Sequence, residues 1–97
     1  KQMDKAMQYL KQAAASGTDP HFKYVYAVAL NQQVKTPEAL EMLNQAAAMP
    51  TYNRDVQLAR IEIAMQINRK DLAEKYLMEW NALDPEDPAI QQMTGSK

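Results

Sequence analysis

The chain has 97 residues, with 11 Lys+Arg against 12 Asp+Glu, one His and no Cys. That length holds one domain with a modest core, and the balanced charge, free of runs of one sign, argues against a nucleic-acid-binding stripe or an acidic tail. Without cysteine there are no disulfides, thiolate nucleophiles or zinc fingers, and no apolar run is long enough to span a membrane. Because it begins at Lys1 and not at an initiator Met, the chain reads as an excised segment or mature product, and its closing TGSK as a flexible end or fusion scar.

The first helix is expected over 3–15, with Ala6, Met7, Leu10, Ala13 and Ala14 at helical spacing and Ser16-Gly17 as its stop, glycine tolerating a left-handed turn. Asp19-Pro20 opens the second, over 20–33: Asp caps free amides, and Pro in the first turn loses no hydrogen bond. Its FKYVYAVAL stretch has the Tyr and Val content of a strand. The flanking caps make it a helix enclosed by neighbours. Thr36-Pro37 repeats the cap-plus-proline pattern for a third helix ending near Met49-Pro50. Asn53 caps a fourth over 54–67, whose apolar surface comes from Val56, Leu58, Ala59, Ile61, Ile63 and Ala64. A fifth covers 70–83, ending at Asp84-Pro85, and a short sixth turn covers 88–93. All connections are short, as antiparallel neighbouring helices require.

KTPEALEMLNQAAAMPTY (Lys35–Tyr52) has near copies upstream (Met3–Asp19) and downstream (Arg69–Asp87). Ala6, Ala39 and Ala73 fall at one point of each copy, and Leu10, Leu43 and Leu77 at another. A helical unit recurring at this period, about 33–34 residues, is a repeat signature.

These residues resemble the tetratricopeptide repeat (TPR) family, helix–turn–helix units of about 34 residues. Ala39, Leu43, Ala46 and Pro50 match the family's second-helix pattern, as do Ala73, Leu77 and Pro85, and Ala6, Leu10 and Ala13. The departures are the missing Trp near the first-helix starts (Phe22 or Lys23, and Val56 or Gln57, stand there), Ile61 where the other unit has Ala27, and Trp80 in place of a small residue after Leu77. A Trp there obstructs further stacking, so Trp80, with Ile90 and Met93, is expected to cover the last face. More narrowly, YVYAVAL, EALEMLNQAAA and YNRDVQLA resemble the repeat tails of some bacterial envelope proteins, multihaem cytochromes among them, although no CxxCH haem motif occurs. The resemblance implies an all-α fold of antiparallel helix–turn–helix repeats stacked as a short right-handed solenoid, about five helices plus a C-terminal cap. It forms a single domain over 1–97: 3–15 as the second helix of a truncated repeat, 20–50 and 53–84 as repeats, and 86–93 as the cap.

Chemistry is sparse. His21 has no hydroxyl or thiol partner in the pattern and reads as an exposed first-turn residue; Asp84, Glu86 and Asp87 read as capping residues, not metal ligands. The chain is therefore expected to be no enzyme and to carry no cofactor or metal. Met7, Met42 and Met78, read as equivalent places in the three related helices, are expected in packing. In the family the first helices line a concave groove, and its positions carried onto this chain point to His21, Tyr24, Val28, Asn31 and Gln32, and to Asp55, Leu58, Glu62, Met65 and Gln66. Tyr24 and Leu58 have burial as their alternative. The expected partner is a protein or peptide in that groove, with no nucleic acid and no membrane span. The co-chaperone clamp for a C-terminal carboxylate is missing, since Tyr24 and Val28 stand where its first Lys and Asn belong. The alternative is a structural or oligomerisation element, packing on another copy or on a domain of its parent protein.

Overall fold

An α-helix leaves its first amides without backbone partners, and three short polar side chains in this chain accept from them at the same spacing. Asp19 Oδ1 accepts from His21 N–H, Asn53 Oδ1 from Asp55 N–H, and Asp87 Oδ1 from Ala89 N–H, each at 2.9 Å. Asp19, Asn53 and Asp87 are equally spaced along the chain, one repeat length apart. In the computed structural model, which describes residues 2–17 and 19–94, these caps open three of the six helices among the described residues: α1 (Gln2–Ser16), α2 (Pro20–Gln32), α3 (Thr36–Ala47), α4 (Arg54–Gln66), α5 (Lys70–Leu83) and α6 (Pro88–Thr94). No strand occurs among them, so the fold is all-α. The expected flexible end lies, from 95 on, outside the described residues.

The ends of α2 and α4 are also built alike. Val34 and Asn68 take left-handed φ angles of 61° and 64°. Around each, two amides return to the helix: Val34 N–H to Asn31 O and Lys35 N–H to Leu30 O, then Asn68 N–H to Met65 O and Arg69 N–H to Ala64 O. This is the paired-bond helix terminus that satisfies orphan carbonyls. Each turn then leads into the next helix through the same bond, Ala39 N–H to Lys35 O and Ala73 N–H to Arg69 O, both 3.0 Å.

The chain divides into two compact units, Lys1–Arg60 and Ile61–Lys97, the division falling within α4. In the first unit α2 packs on both α1 and α3. Ala27, Ala39, Leu43 and Ala46 are buried there, the three alanines being small residues that let helices approach closely. Arg60 is buried too, its Nε donating to Asn44 Oδ1 at 3.1 Å and its Nη1 to Gln57 Oε1 at 3.4 Å, so a cation in the interior is hydrogen-bonded. In the second unit α6 packs on α5, and Ile63, Ala64, Ala73, Tyr76, Trp80 and Ile90 are buried.

Several local expectations change. Thr36 is not the cap of α3 but its first residue: Lys35 holds the cap position without a side-chain bond, and the Thr36 hydroxyl donates instead to Asn31 Oδ1 at 2.9 Å, tying the turn to α2. The left-handed turn at Val34 is the cause, because it places Lys35 O to accept the first helical amide. Gly17 is not left-handed; its N–H continues the α1 pattern to Ala13 O at 3.1 Å, and an added Cβ would sit 3.1 Å from that same oxygen. α3 ends at Ala47, short of the expected Met49-Pro50, where the Ala48 and Met49 amides tighten to bonds with Gln45 O and Ala46 O. Met78 is 73% exposed while Met7 and Met42 are half-buried. Counted from Ala6, Ala39 and Ala73, the three methionines stand one, three and five positions on, and so do not share a register.

Candidate functional site

The α2 residues expected at a groove form one stripe, since positions 21, 24, 28 and 31 repeat at helical spacing. His21 and Tyr24 are adjacent, their ring centroids 6.2 Å apart at 34°, and His21 also meets the edge of Phe22 at 6.1 Å. His21, Val28 and Gln32 are exposed, and Tyr24 is half-buried. Asn31 is half-buried as well, its side-chain oxygen accepting the Thr36 hydroxyl. The α4 residues follow the same stripe one repeat later. Asp55 and Leu58 lie in the first unit, the former exposed and the latter half-buried. Glu62, Met65 and Gln66 lie in the second unit and are all exposed. Neither Tyr24 nor Leu58 is fully buried, so each presents part of its surface to solvent.

Two of these ten residues line a cavity. In the second unit an open, mostly apolar groove of about 480 Å³ runs along α4, α5 and α6. Buried Ile61 and Ala73 form its floor, Leu77 its half-buried wall, and exposed Met65 and Met93 its edges. Glu62, Glu74 and Lys70 add charge along it, all three exposed. A cavity of this size with an apolar floor and a few charged edges suits an inserted side chain or helix face more than a flat contact.

Sequence reasoning missed a second groove, about 460 Å³, inside the first unit. Lys11 of α1, Tyr26 and Leu30 of α2, and Met42 and Glu41 of α3 line it, and Lys23 reaches across to donate to Ala14 O at 2.7 Å. The only signal in the sequence was that FKYVYAVAL is apolar on more than one face, which does not separate a buried side from a cleft wall.

One ion pair stands at the surface. Arg69 holds Asp71 through two bonds of 2.9 and 3.0 Å, with both side chains more than half exposed. That hydrogen bonding lowers the Asp71 carboxyl to about 2 and raises the Arg69 guanidinium. No cluster of three or more His, Cys, Asp or Glu that could hold a metal ion occurs among the described residues, and none of their helices is long and apolar enough to cross a membrane. No protein-family model, curated protein or solved structure matches the chain.

Proposed function

We propose that this chain is a non-catalytic protein-interaction module built on tetratricopeptide-type repeats, offering the α2 and α4 stripes to a peptide or a partner domain. The observation that carries this reading is the recurrence of one local structure at equal intervals: three helix caps at Asp19, Asn53 and Asp87, and two left-handed helix ends at Val34 and Asn68. Repeats of this kind cannot bury their apolar faces alone and gain stability by stacking. Among the stripe residues His21, Tyr24 and Val28 supply rings and an apolar patch, while Asp55 and Glu62 supply acid. An extended or helical peptide bearing basic and apolar residues complements them. Proteins captured from the native lysate on the immobilised chain test the reading when capture is repeated with Tyr24→Ala and Glu62→Arg combined. The double variant is expected to keep its helical circular dichroism and lose the partner. Equal capture by both versions would sink it.

The uncovered face of α1 favours a second reading, a structural element that packs on another copy or a neighbouring domain.

A further inference from the structure

We infer that the second-unit groove receives a partner's α-helix, apolar along one stripe and basic beside it, in the place that a longer α6 would fill. α6 opens from its cap at Asp87 as α4 opens from Asn53, 34 residues earlier. α2 and α4 each run for 13 residues, α6 for 7. One repeat before Pro88–Thr94 stand residues 54–60, and α4 then continues through 61–66. Among the described residues α6 has no counterpart of that second half. In a stack each helix follows its counterpart one repeat earlier, so the absent half belongs beside 61–66 of α4. The groove lies there. Ile61 and Met65 come from the second half of α4, Ala73 and Leu77 from the first half of α5, and α6 reaches it only through Met93, in its last turn.

One repeat earlier the equivalent positions are closed. Leu43 is wholly buried where Leu77 is half-buried, and Thr36 is buried where Lys70 is exposed. What stays open in the second unit is apolar, with Met65 54% and Met93 39% exposed, around a space of about 480 Å³ that exceeds any one side chain. Successive apolar side chains on one helix stripe fill such a groove. Charge then selects the helix. Glu62 and Glu74 stand at the edges, where Val28 and Leu40 stand one repeat earlier. Both are exposed, and neither carboxylate is taken up by a bond or ion pair among the described residues. Lys70 offsets only one of them, so the groove is acidic, and a helix with Lys or Arg flanking its apolar stripe complements it.

The inference rests on the repeat reading above and shares Glu62 and Met65 with the α4 stripe, but it uses neither His21 nor Tyr24. The probe is a fluorescein-labelled, lactam-stapled helical peptide with leucine at i, i+3, i+4 and i+7 and lysine beside that stripe, titrated with the intact chain. Fluorescence anisotropy is expected to show saturable binding, weakened about tenfold or more when glutamate replaces the lysines and lost when the peptide is scrambled. Glu62→Lys with Glu74→Lys is expected to invert the preference, so that the glutamate peptide binds more tightly; a misfolded variant would bind neither. Methyl NMR of labelled methionines locates the contact on the wild type itself, whatever the variant does. Met65 and Met93 are expected to shift on titration, and Met42 and exposed Met78 to stay. Tyr24→Ala leaves all of this unchanged even where it abolishes partner capture, so the two readings fail separately. No saturable binding, equal affinity for the scrambled peptide, or shifts at Met42 or Met78 in place of Met65 and Met93 would each overturn the proposal. So would a folded double variant that still prefers lysine, or a wild type that dimerises in sedimentation and thereby excludes the peptide.

Discussion

Val34 and Asn68 end α2 and α4 in the same left-handed backbone, φ 61° and 64°, yet only one of them suits it. Asn tolerates this region because its short amide bonds locally; a β-branched side chain crowds the carbonyl, at roughly 1–2 kcal/mol. Val34 is 85% exposed, so no packing compensates. Val34→Gly is therefore expected to stabilise the chain by about 1 kcal/mol after the added freedom of the unfolded glycine is subtracted, raising the thermal midpoint by roughly 4–8 °C. Asn68→Gly is expected to gain only a few tenths. Equal gains at the two positions in a melting series would show that the strain at Val34 is not real.

The three caps give a second comparison. Replacing Asp19 or Asn53 by Ala removes the acceptor for a first-turn amide and is expected to cost about 1 kcal/mol each. Asn53→Asp is expected to be neutral or slightly stabilising, since a carboxylate favours the positive end of a helix. Asp87 is buried and caps a helix of only seven residues, so Asp87→Ala is expected to cost more and to melt α6 selectively. Amide exchange read residue by residue would show α6 deprotected while α2 and α3 are unchanged.

How much of this was legible in the sequence follows from which forces act locally. Helix starts were, because Asp19-Pro20, Asn53 and Asp87-Pro88 act through bonds within three residues. Of the positions on which the sequence copies align, Ala39, Leu43 and Ala73 are buried, Leu10 and Leu77 half-buried and Ala6 exposed. The left-handed turns were not legible. Val34 is the last residue chemistry would choose, and it is held there by the bonds of its neighbours to Leu30 and Asn31. Gly17 drew the expectation instead, and its N–H simply prolongs α1. Of the expected groove, the residues on α2 and α4 were those that the family resemblance implied, not ones that spacing picked out. The cavity against α5 and α6 was not legible, since it depends on which side chains a tertiary neighbour leaves uncovered.

Asp71 offers a pH test. Its carboxyl, hydrogen-bonded by Arg69, falls from an ordinary 3.8 to about 2 in the folded chain. A folded value below the unfolded one means that the contribution to stability is complete above about pH 4 and is lost as pH falls toward 2. Both partners are largely exposed, so that contribution is small and screened by salt. The sharper readout is the site itself. Carboxyl NMR is expected to place Asp71 near 2 in the wild type, and Arg69→Gln to return it toward the ordinary value. An Asp71 titration that Arg69→Gln leaves unmoved would mean that the pair does not form in solution.

Trp80 is the single tryptophan and is wholly buried, as is Ala46, its counterpart one repeat earlier. The same place in two related helices thus encloses a methyl group in α3 and an indole in α5, so the second unit has formed its interior around the larger side chain. Trp80→Ala, which makes the two positions alike in sequence, is expected to cost about 3–5 kcal/mol, because surroundings shaped to an indole collapse only in part. A chain of this length holds roughly 5–15 kcal/mol in all, so the loss is a large fraction of its stability. Trp80→Phe keeps most of the volume and is expected to cost distinctly less. Chemical denaturation of the three proteins, followed by far-ultraviolet circular dichroism so that loss of the fluorophore does not matter, gives the order. In the wild type the tryptophan emission should be blue-shifted and shift red in the same transition. Emission already at the solvent-exposed wavelength in the folded protein, or an alanine variant as stable as the wild type, would mean that Trp80 does not sit at the centre of the second unit.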